Sequence, residues 1–166
     1  MKKETYEKII RYFEASKMRS LLLEGVAEIL PLTMALIYGC LCFVLLINKN
    51  PIVWRFAAVP AIVFIFVTAF RTVVDRKRPY AKLGFVPFLK YKEKKGKSFP
   101  SRHTASAFII AFACFYFNAA AGIVMLFAAA AVAASRVLTG MHYISDVIAG
   151  IVISMAAAWL GYYVFI

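Results

Sequence analysis

The chain contains two histidines, His103 and His142, and each lies in a short polar segment next to a long apolar one. Asp146 follows His142 by four residues, so on a helix the two side chains share a face. The carboxylate can then accept one imidazole N–H, which fixes the tautomer and leaves the other ring nitrogen available. This spacing predicts that His142 is a nucleophile and that Asp146 orients it.

Three arginines stand at defined places around these residues. Arg136 precedes His142 by six positions, and Arg71 and Arg78 lie upstream. A guanidinium can bind two phosphate oxygens in a bidentate fork, so the set favours phosphoryl-transfer chemistry. Two alternatives remain open. Arginines at the ends of membrane helices often extend to the lipid headgroups, and Arg136 could form a structural ion pair with Asp146.

The polar segment that contains His103, residues 100–103, has the sequence Pro-Ser-Arg-His and precedes an apolar run. Ser101 occupies the N-cap position, where the first helical turn offers N–H groups and a positive dipole to an anion. His103, two residues later, can protonate a leaving oxygen and then act as a base for water. The alternative is that the segment only begins a helix and His103 is an interfacial residue.

Composition indicates that these segments belong to a membrane protein. The chain has 166 residues, enough for a single domain over 1–166, and 63% of them are hydrophobic, with a mean hydropathy of +0.78. The formal charge of +12 is concentrated at residues 2–19 and 71–102. Because these basic residues flank apolar spans, they predict contact with anionic lipids and an anionic substrate and argue against nucleic-acid binding.

The apolar pattern predicts an all-α bundle of about five transmembrane helices. The first two spans cover roughly 25–47 and 52–74, and a basic loop follows at 75–101. Residues 104–135 carry no charge, and one helix of that length would reach about 48 Å, too long for a single crossing. We therefore divide this stretch into helices over 102–119 and 121–138, followed by a fifth span over 143–166.

The N-terminal segment, residues 1–20, has a different pattern. Over 4–20, Tyr6, Ile9, Ile10 and Phe13 fall on one face, and basic residues such as Lys8, Arg11 and Lys17 fall on the ends and the other face. This predicts an amphipathic helix in the membrane interface, and the alternative is a solvated helix packed on the domain. Glu24 and Glu28, at the start of the first span, are predicted to pair with surplus arginines.

An antiparallel arrangement of five spans places all three motifs at one membrane face. The first motif, residues 71–79, ends the second span. The second motif, residues 100–103, begins the third span, and the third motif, residues 135–146, joins the fourth span to the fifth. With these residues in this order, the chain resembles the type 2 phosphatidic acid phosphatase superfamily. These membrane-integrated lipid phosphatases share their site with bacterial acid phosphatases and vanadium haloperoxidases.

The resemblance implies a role for each matching residue. His142 would form a phosphohistidine with Asp146 as its partner, and His103 would be the acid. The phosphoryl oxygens would be bound by Arg71, Arg78, Ser101 and Arg136, and the backbone N–H of Arg102 could face the phosphate beside them. The chain departs from the family pattern in three ways: Arg71 replaces the usual lysine, Arg102 replaces the usual glycine between serine and histidine, and five spans replace the more common six.

The expected activity is metal-independent hydrolysis of a lipid phosphate, with no cofactor. Phosphatidic acid, phosphatidylglycerophosphate and polyprenyl diphosphates all present a phosphate at the membrane interface. The alternatives are a lipid phosphotransferase that uses the same site and a membrane transporter without enzymatic activity. The charge rule predicts a cytoplasmic active site, whereas the resemblance implies an extracytoplasmic one.

Overall fold

The structure, a computed structural model, describes residues 1–90 and 96–164, which are organised as helices without a strand. Part of the predicted basic loop, residues 91–95, lies outside this range. The helices are α1 (Lys3–Glu14), α2 (Lys17–Glu24), α3 (Leu30–Ile47), α4 (Ile52–Val74), α5 (Pro79–Leu83), α6 (Arg102–Phe117), α7 (Ala119–Leu138) and α8 (Ile144–Trp159). Two π-helical turns, Gly25–Ile29 and Leu160–Val164, extend α2 into α3 and prolong α8.

Four helical stretches of the described chain are long and apolar enough to cross a membrane. They are Lys17–Ile47, Ile52–Leu83, Ala119–Leu138 and Ile144–Val164, and the shorter apolar helix α6 lies among them. This architecture confirms the predicted all-α membrane bundle. Residues 75–78 are not helical, so the second span is interrupted close to the first motif.

Asn118 divides the uncharged stretch into two helices, as the length argument predicted. Its backbone is extended, with φ −153° and ψ 121°, and its side-chain oxygen accepts a hydrogen bond from the Ala121 N–H at 3.0 Å. Gly122 then allows a close approach, because a Cβ there would lie 2.2 Å from the Cα of Phe115. The short connection and the small residue hold α6 and α7 together as an antiparallel pair.

The N-terminal prediction needs a correction. The chain does not form one helix over 4–20, because Ser16 is extended (φ −142°, ψ 127°) and separates α1 from α2. Helix α2 instead begins the first membrane span. The apolar face of α1 packs on the protein, where Tyr6 and Ile10 are buried against Phe85 and its neighbours. Neither Ala15 nor Ser16 is a strong helix breaker, so tertiary packing decides this boundary.

A proline in α4 is compensated by a side chain from α3. Pro60 has no N–H, so the carbonyl of Phe56, four residues earlier, lacks its helical donor. The Tyr38 hydroxyl donates a hydrogen bond to that carbonyl at 2.7 Å, and its ring stacks on Phe56 with centroids 5.1 Å apart. This contact satisfies a buried polar group and joins two membrane helices.

Helix α6 lies at the centre of the bundle and contacts α3, α4, α7 and α8. Its first turn lies close to α8, because a Cβ on Gly150 would come within 2.9 Å of the Ser101 carbonyl oxygen. The Ser101 N–H donates to the backbone oxygen of Asp146 at 2.9 Å, and the Ser154 hydroxyl donates to that of Ala105 at 2.8 Å. These contacts bring the second and third motifs to the same end of the bundle.

Candidate active site

A cavity of about 470 Å³ lies at the end of the bundle where α4 ends, α6 begins and α7 turns into α8. It collects residues from all three motifs, including Arg71, Arg78, Arg102, His103, Arg136 and His142. Polar residues that sequence reasoning did not select also line it, among them Thr68, Thr72, Asp75 and Lys97. The structure therefore brings the two histidines and four arginines to one space.

His142 lies in the turn between α7 and α8, where only 1% of its surface is exposed. Its Nδ1 is 3.4 Å from Oδ2 of Asp146, which is one helical turn further along α8. The Nδ1–H donates to the carboxylate, so Nε2 carries the lone pair of the neutral ring. The spacing of the two residues predicted this contact, but the helical reason for it was wrong, because His142 precedes α8 and does not lie on its face.

Asp146 is fully buried and receives three further hydrogen bonds. Ser98 Oγ donates to Oδ2 at 2.5 Å, the backbone N–H of Tyr143 donates to Oδ2 at 3.0 Å, and Arg76 Nη1 donates to Oδ1 at 2.7 Å. Four donors in total therefore hold the carboxylate in place. Arg136, which the sequence offered as an alternative partner, pairs elsewhere.

The surroundings of His142 keep its imidazole neutral. Burial is the largest cause and lowers the pKa of His142 to about 4, and the charges of Arg78 and Arg71 act in the same direction. The hydrogen bond to Asp146 opposes this effect and raises the pKa. At neutral pH the ring is unprotonated, which is the state that a nucleophile requires.

The segment 96–98 passes along the cavity and is held by residues of the first motif. Arg71 Nε donates to the carbonyl oxygen of Lys97 at 2.9 Å, and its Nη2 donates to the same atom. Arg78 Nε donates to the carbonyl oxygen of Gly96 at 3.2 Å, and Asp75 Oδ1 accepts from the Lys97 N–H at 3.0 Å. These contacts fix the guanidinium groups at the cavity wall and place Ser98 next to Asp146.

Arg136 is anchored by the π turn that precedes α3. Its Nη1 lies 3.7 Å from Oε1 of Glu28, and its Nη2 donates to the carbonyl oxygen of Ala27. Pro31 stands four residues after Ala27 and has no N–H, so an α-helical donor for that carbonyl is missing. The predicted pairing of a glutamate in the first span with an arginine is confirmed for Glu28.

The three residues of the second motif have different surroundings. His103 is exposed on the cavity wall, while Ser101 is fully buried and its hydroxyl accepts a hydrogen bond from Thr104 Oγ1 at 2.9 Å. Ser101 is not among the described residues that line the cavity. The Arg102 guanidinium lies over the ring of Phe64, 5.3 Å from its centroid. Its side chain therefore reaches the boundary between the cavity and α4.

Helix α1 covers the turn that carries His142. The Tyr6 hydroxyl donates to the backbone oxygen of His142 at 3.4 Å, and its ring stacks on Phe85 at 5.1 Å between centroids. Burial raises the pKa of Tyr6 to about 12, so the hydroxyl remains a donor. Gly140 begins this turn with φ +73°, and a Cβ there would lie 2.8 Å from Cε2 of Phe85. A glycine is required at this point for both reasons.

Sequence reasoning missed two contacts of the central carboxylate. Nothing in the local sequence distinguishes Arg76 from its basic neighbour Lys77. The turn after α4 is what directs the Arg76 side chain toward Asp146. Ser98 stands two residues before Pro100 and carries no spacing signal of its own. Both positions depend on how residues 75–78 and 96–98 pair, since the Ser98 N–H donates to the backbone oxygen of Arg76 at 2.9 Å.

The family assignment follows from the match between this chain and known families. The sequence model of the PAP2 superfamily matches residues 52–166, which include every motif residue described above. The chain belongs to the PAP2 superfamily. This membership confirms the resemblance that the order of the motifs indicated. Comparison with curated protein sequences finds no match.

Two solved structures share the fold of this PAP2 protein. Aquifex aeolicus LpxE superposes with a TM-score of 0.72 at 18% identity, covering 93% of this chain and 92% of that one. The first transmembrane PAP2 type phosphatidylglycerolphosphate phosphatase from Bacillus subtilis superposes with a TM-score of 0.70 at 18% identity, covering 95% and 83%. Both similarities extend beyond the family match to the N-terminal helices.

Proposed function

We propose that this PAP2 protein is a membrane lipid phosphatase that works through a phosphohistidine. One observation carries the proposal. A single cavity is lined by the neutral imidazole of His142, which a buried carboxylate holds in place, by a second histidine, His103, which is exposed, and by four arginines. A phosphoryl group needs a nucleophile, an acid for the leaving oxygen and cations for its equatorial oxygens. His142, His103 and the arginines have the chemistry that these three roles require.

The reaction has two steps. The Nε2 of His142 attacks phosphorus in line, the bond from phosphorus to the leaving oxygen breaks, and His103 gives that oxygen a proton. Water then attacks the phosphohistidine while His103 takes a proton from it, which releases orthophosphate and restores both histidines. Arg71, Arg78 and Arg136 bind the phosphoryl oxygens during both steps.

The membrane setting supports a lipid substrate. The cavity lies at the end of the candidate membrane spans and is lined by α4 and α6, whose other residues are mostly apolar. A substrate whose phosphate reaches this depth while its tail stays in the bilayer is a lipid phosphate. The fold it shares with a phosphatidylglycerolphosphate phosphatase is consistent with this class of substrate.

The hydrolysis is proposed to need no metal ion. Among residues 1–90 and 96–164, no group of three histidine, cysteine or acidic side chains is placed to hold one. In the proposed mechanism the arginines provide the charge that a metal ion provides in other phosphatases. We expect full activity in EDTA; activity that disappears on chelation and returns with magnesium would contradict the proposal.

The test is phosphate release from a panel of lipid phosphates by purified protein in detergent, with His142→Ala compared with the wild type. We expect release by the wild type and a loss of at least about a thousandfold in the variant, as for other covalent nucleophiles. Thermal unfolding of both proteins checks that the variant is folded. Equal release by both would refute the role of His142, and no release from any lipid phosphate would refute the function.

A further inference from the structure

An apolar groove lies beside the cavity, between α3, α4 and α6. Arg102 and His103 line both the cavity and an adjoining space of about 180 Å³ between α3, α4 and α6. That space shares Ala35, Phe64 and Ser106 with a further groove of about 520 Å³ along the same three helices. The three spaces therefore adjoin one another in a row that begins at the charged site and runs along α3, α4 and α6.

The far part of this path suits a hydrocarbon chain. Its walls are made almost entirely of aliphatic and aromatic side chains, including Ile65, Ile109 and Ile110. From Arg102 to Ile109 it follows α6 for about 10 Å, at the helical rise of 1.5 Å per residue. A lipid with its terminal phosphate at His142 can place its tail in this groove. Arg102, which lines both the cavity and the adjoining space at their junction, then contacts the chemical group that joins the terminal phosphate to the tail.

Arg102 differs from the other three arginines of the site in how it is held. Arg71 and Arg78 donate to backbone carbonyls of the segment 96–98, and Arg136 pairs with Glu28. Within the described part of the chain no hydrogen bond holds the Arg102 guanidinium, which rests on the ring of Phe64. A cation placed on an aromatic ring at the junction keeps all its N–H groups available for an anion.

We propose that Arg102 is a specificity-determining residue that binds the second phosphate of a lipid diphosphate. The inference rests on the proposed function and narrows its substrate class. In a diphosphate the group between the transferred phosphoryl and the tail is a charged phosphate, which a guanidinium binds strongly. In phosphatidic acid the same place is taken by a neutral glycerol ester, for which a cation has little advantage.

The step balances without a further reactant. His142 Nε2 attacks the terminal phosphorus, the bond from that phosphorus to the bridging oxygen breaks, and the proton of His103 goes to the bridging oxygen. The lipid monophosphate leaves with its charge paired to Arg102, and water hydrolyses the phosphohistidine to orthophosphate. Arg102 stabilises both the bound substrate and the charge that develops on the leaving phosphate.

The experiment uses two substrates with the same tail, farnesyl diphosphate and farnesyl phosphate, with phosphatidic acid as a third. The wild type is compared with Arg102→Gly, which installs the residue usual in the family, and with Arg102→Lys. Arg55→Ala is the control for the loss of one positive charge, because Arg55 lies near the start of α4, far from the cavity. The kcat/KM of each variant is measured on each substrate.

We expect Arg102→Gly to lower kcat/KM for the diphosphate roughly tenfold or more, equivalent to about 1.4 kcal/mol, and for the two monophosphates less than threefold. Arg102→Lys should lie between, and Arg55→Ala should match the wild type. Equal losses on all substrates, or no loss on the diphosphate, would overturn the role of Arg102. A wild type that releases phosphate from none of the three would instead overturn the proposed function.

Discussion

Asp146 is the residue on which the geometry of the candidate site depends. It is fully buried, and a buried carboxylate is costly unless hydrogen bonds and an opposite charge compensate it. Arg76 supplies the charge, and Ser98, Tyr143 N–H and His142 supply the other hydrogen bonds. The carboxylate is thus held in one orientation, and it in turn holds the imidazole.

The hydrogen bond from Ser98 gives the first prediction at this scale. Ser98→Ala removes the 2.5 Å contact to Asp146 Oδ2 and leaves the carboxylate less well fixed. Hydrogen bonds to charged groups contribute about 1.5–3 kcal/mol, so we expect kcat on a lipid phosphate to fall roughly tenfold with KM within twofold. Ser135→Ala is the control, because Ser135 is also buried and its hydroxyl donates to the Val132 carbonyl within its own helix. A rise in KM at constant kcat would mean that Ser98 contacts substrate instead.

The pKa of His142 gives the second prediction. Burial lowers it to about 4 in the folded protein, below the ordinary histidine value of 6.5, so between these values the unfolded chain binds a proton that the folded protein does not. Stability should therefore decrease as pH falls from about 6.5 to 4, by up to about 3 kcal/mol. The measurement is the thermal midpoint in detergent across this pH range.

His142→Gln is the matched control for that measurement, because glutamine does not titrate. Between pH 6.5 and 4 the thermal midpoint of the wild type should fall further than that of the variant. Parallel curves for the two proteins would show that His142 titrates near its ordinary pKa and would contradict the lowering of its pKa by burial.

At the scale of elements, prolines are placed where a neighbouring helix supplies the missing donor. Pro60 cannot donate to the Phe56 carbonyl, which accepts a hydrogen bond from the Tyr38 hydroxyl instead. Pro31 likewise cannot donate to the Ala27 carbonyl, which accepts from Arg136. The first case ties α3 to α4 within the bundle. The second ties α7 to the π turn before α3 and positions an arginine of the site.

The pairing of Tyr38 with Pro60 can be tested by a double-mutant cycle. Tyr38→Phe leaves the Phe56 carbonyl without a donor in a membrane interior, so we expect a loss of about 1–3 kcal/mol in the free energy of unfolding. Pro60→Ala restores the helical N–H at that carbonyl. In the Pro60→Ala background, Tyr38→Phe should therefore cost less than about 1 kcal/mol.

The cycle is measured by denaturant unfolding in mixed micelles, with Tyr12→Phe on the exposed face of α1 as the control. Equal costs of Tyr38→Phe in the two backgrounds would mean that the Tyr38 hydroxyl contributes independently of the carbonyl that Pro60 leaves without a helical donor, and would contradict the proposed compensation.

At the scale of the whole molecule, the order of the helices places the cavity at one membrane face. Lys82 on α5 lies on that side, and Lys49, in the turn between α3 and α4, lies on the opposite one; both are exposed. Basic residues are concentrated on the cavity side, so the charge rule predicts that this side is cytoplasmic.

Cysteine labelling of intact cells with an impermeant reagent tests this topology. Lys82→Cys and Lys49→Cys are introduced into a chain whose Cys40, Cys42 and Cys114 are replaced by serine. We expect labelling at position 49 and protection at position 82. The reverse pattern would place the site outside the cytoplasm, and labelling at both positions would contradict the helix order.

The sequence alone determined the class of fold and the order of the helices, and it predicted the two histidines and four arginines that line the candidate site. The apolar runs and the 32 uncharged residues required a multi-span bundle with a break near Asn118. The interval of four between His142 and Asp146 predicted their contact, although the structure makes it from the turn before α8 and not across one face of the helix. These features depend on local periodicity, which the sequence carries directly.

Tertiary structure decided the features that depend on contacts between distant segments. Only the fold brings Arg76 and Ser98 to Asp146, buries Ser101 behind the first turn of α6, and ends the N-terminal helix at Glu14. It also directs Arg102 toward Phe64 and the groove. No spacing encodes these outcomes, because each one depends on the positions of residues that are far apart in the chain.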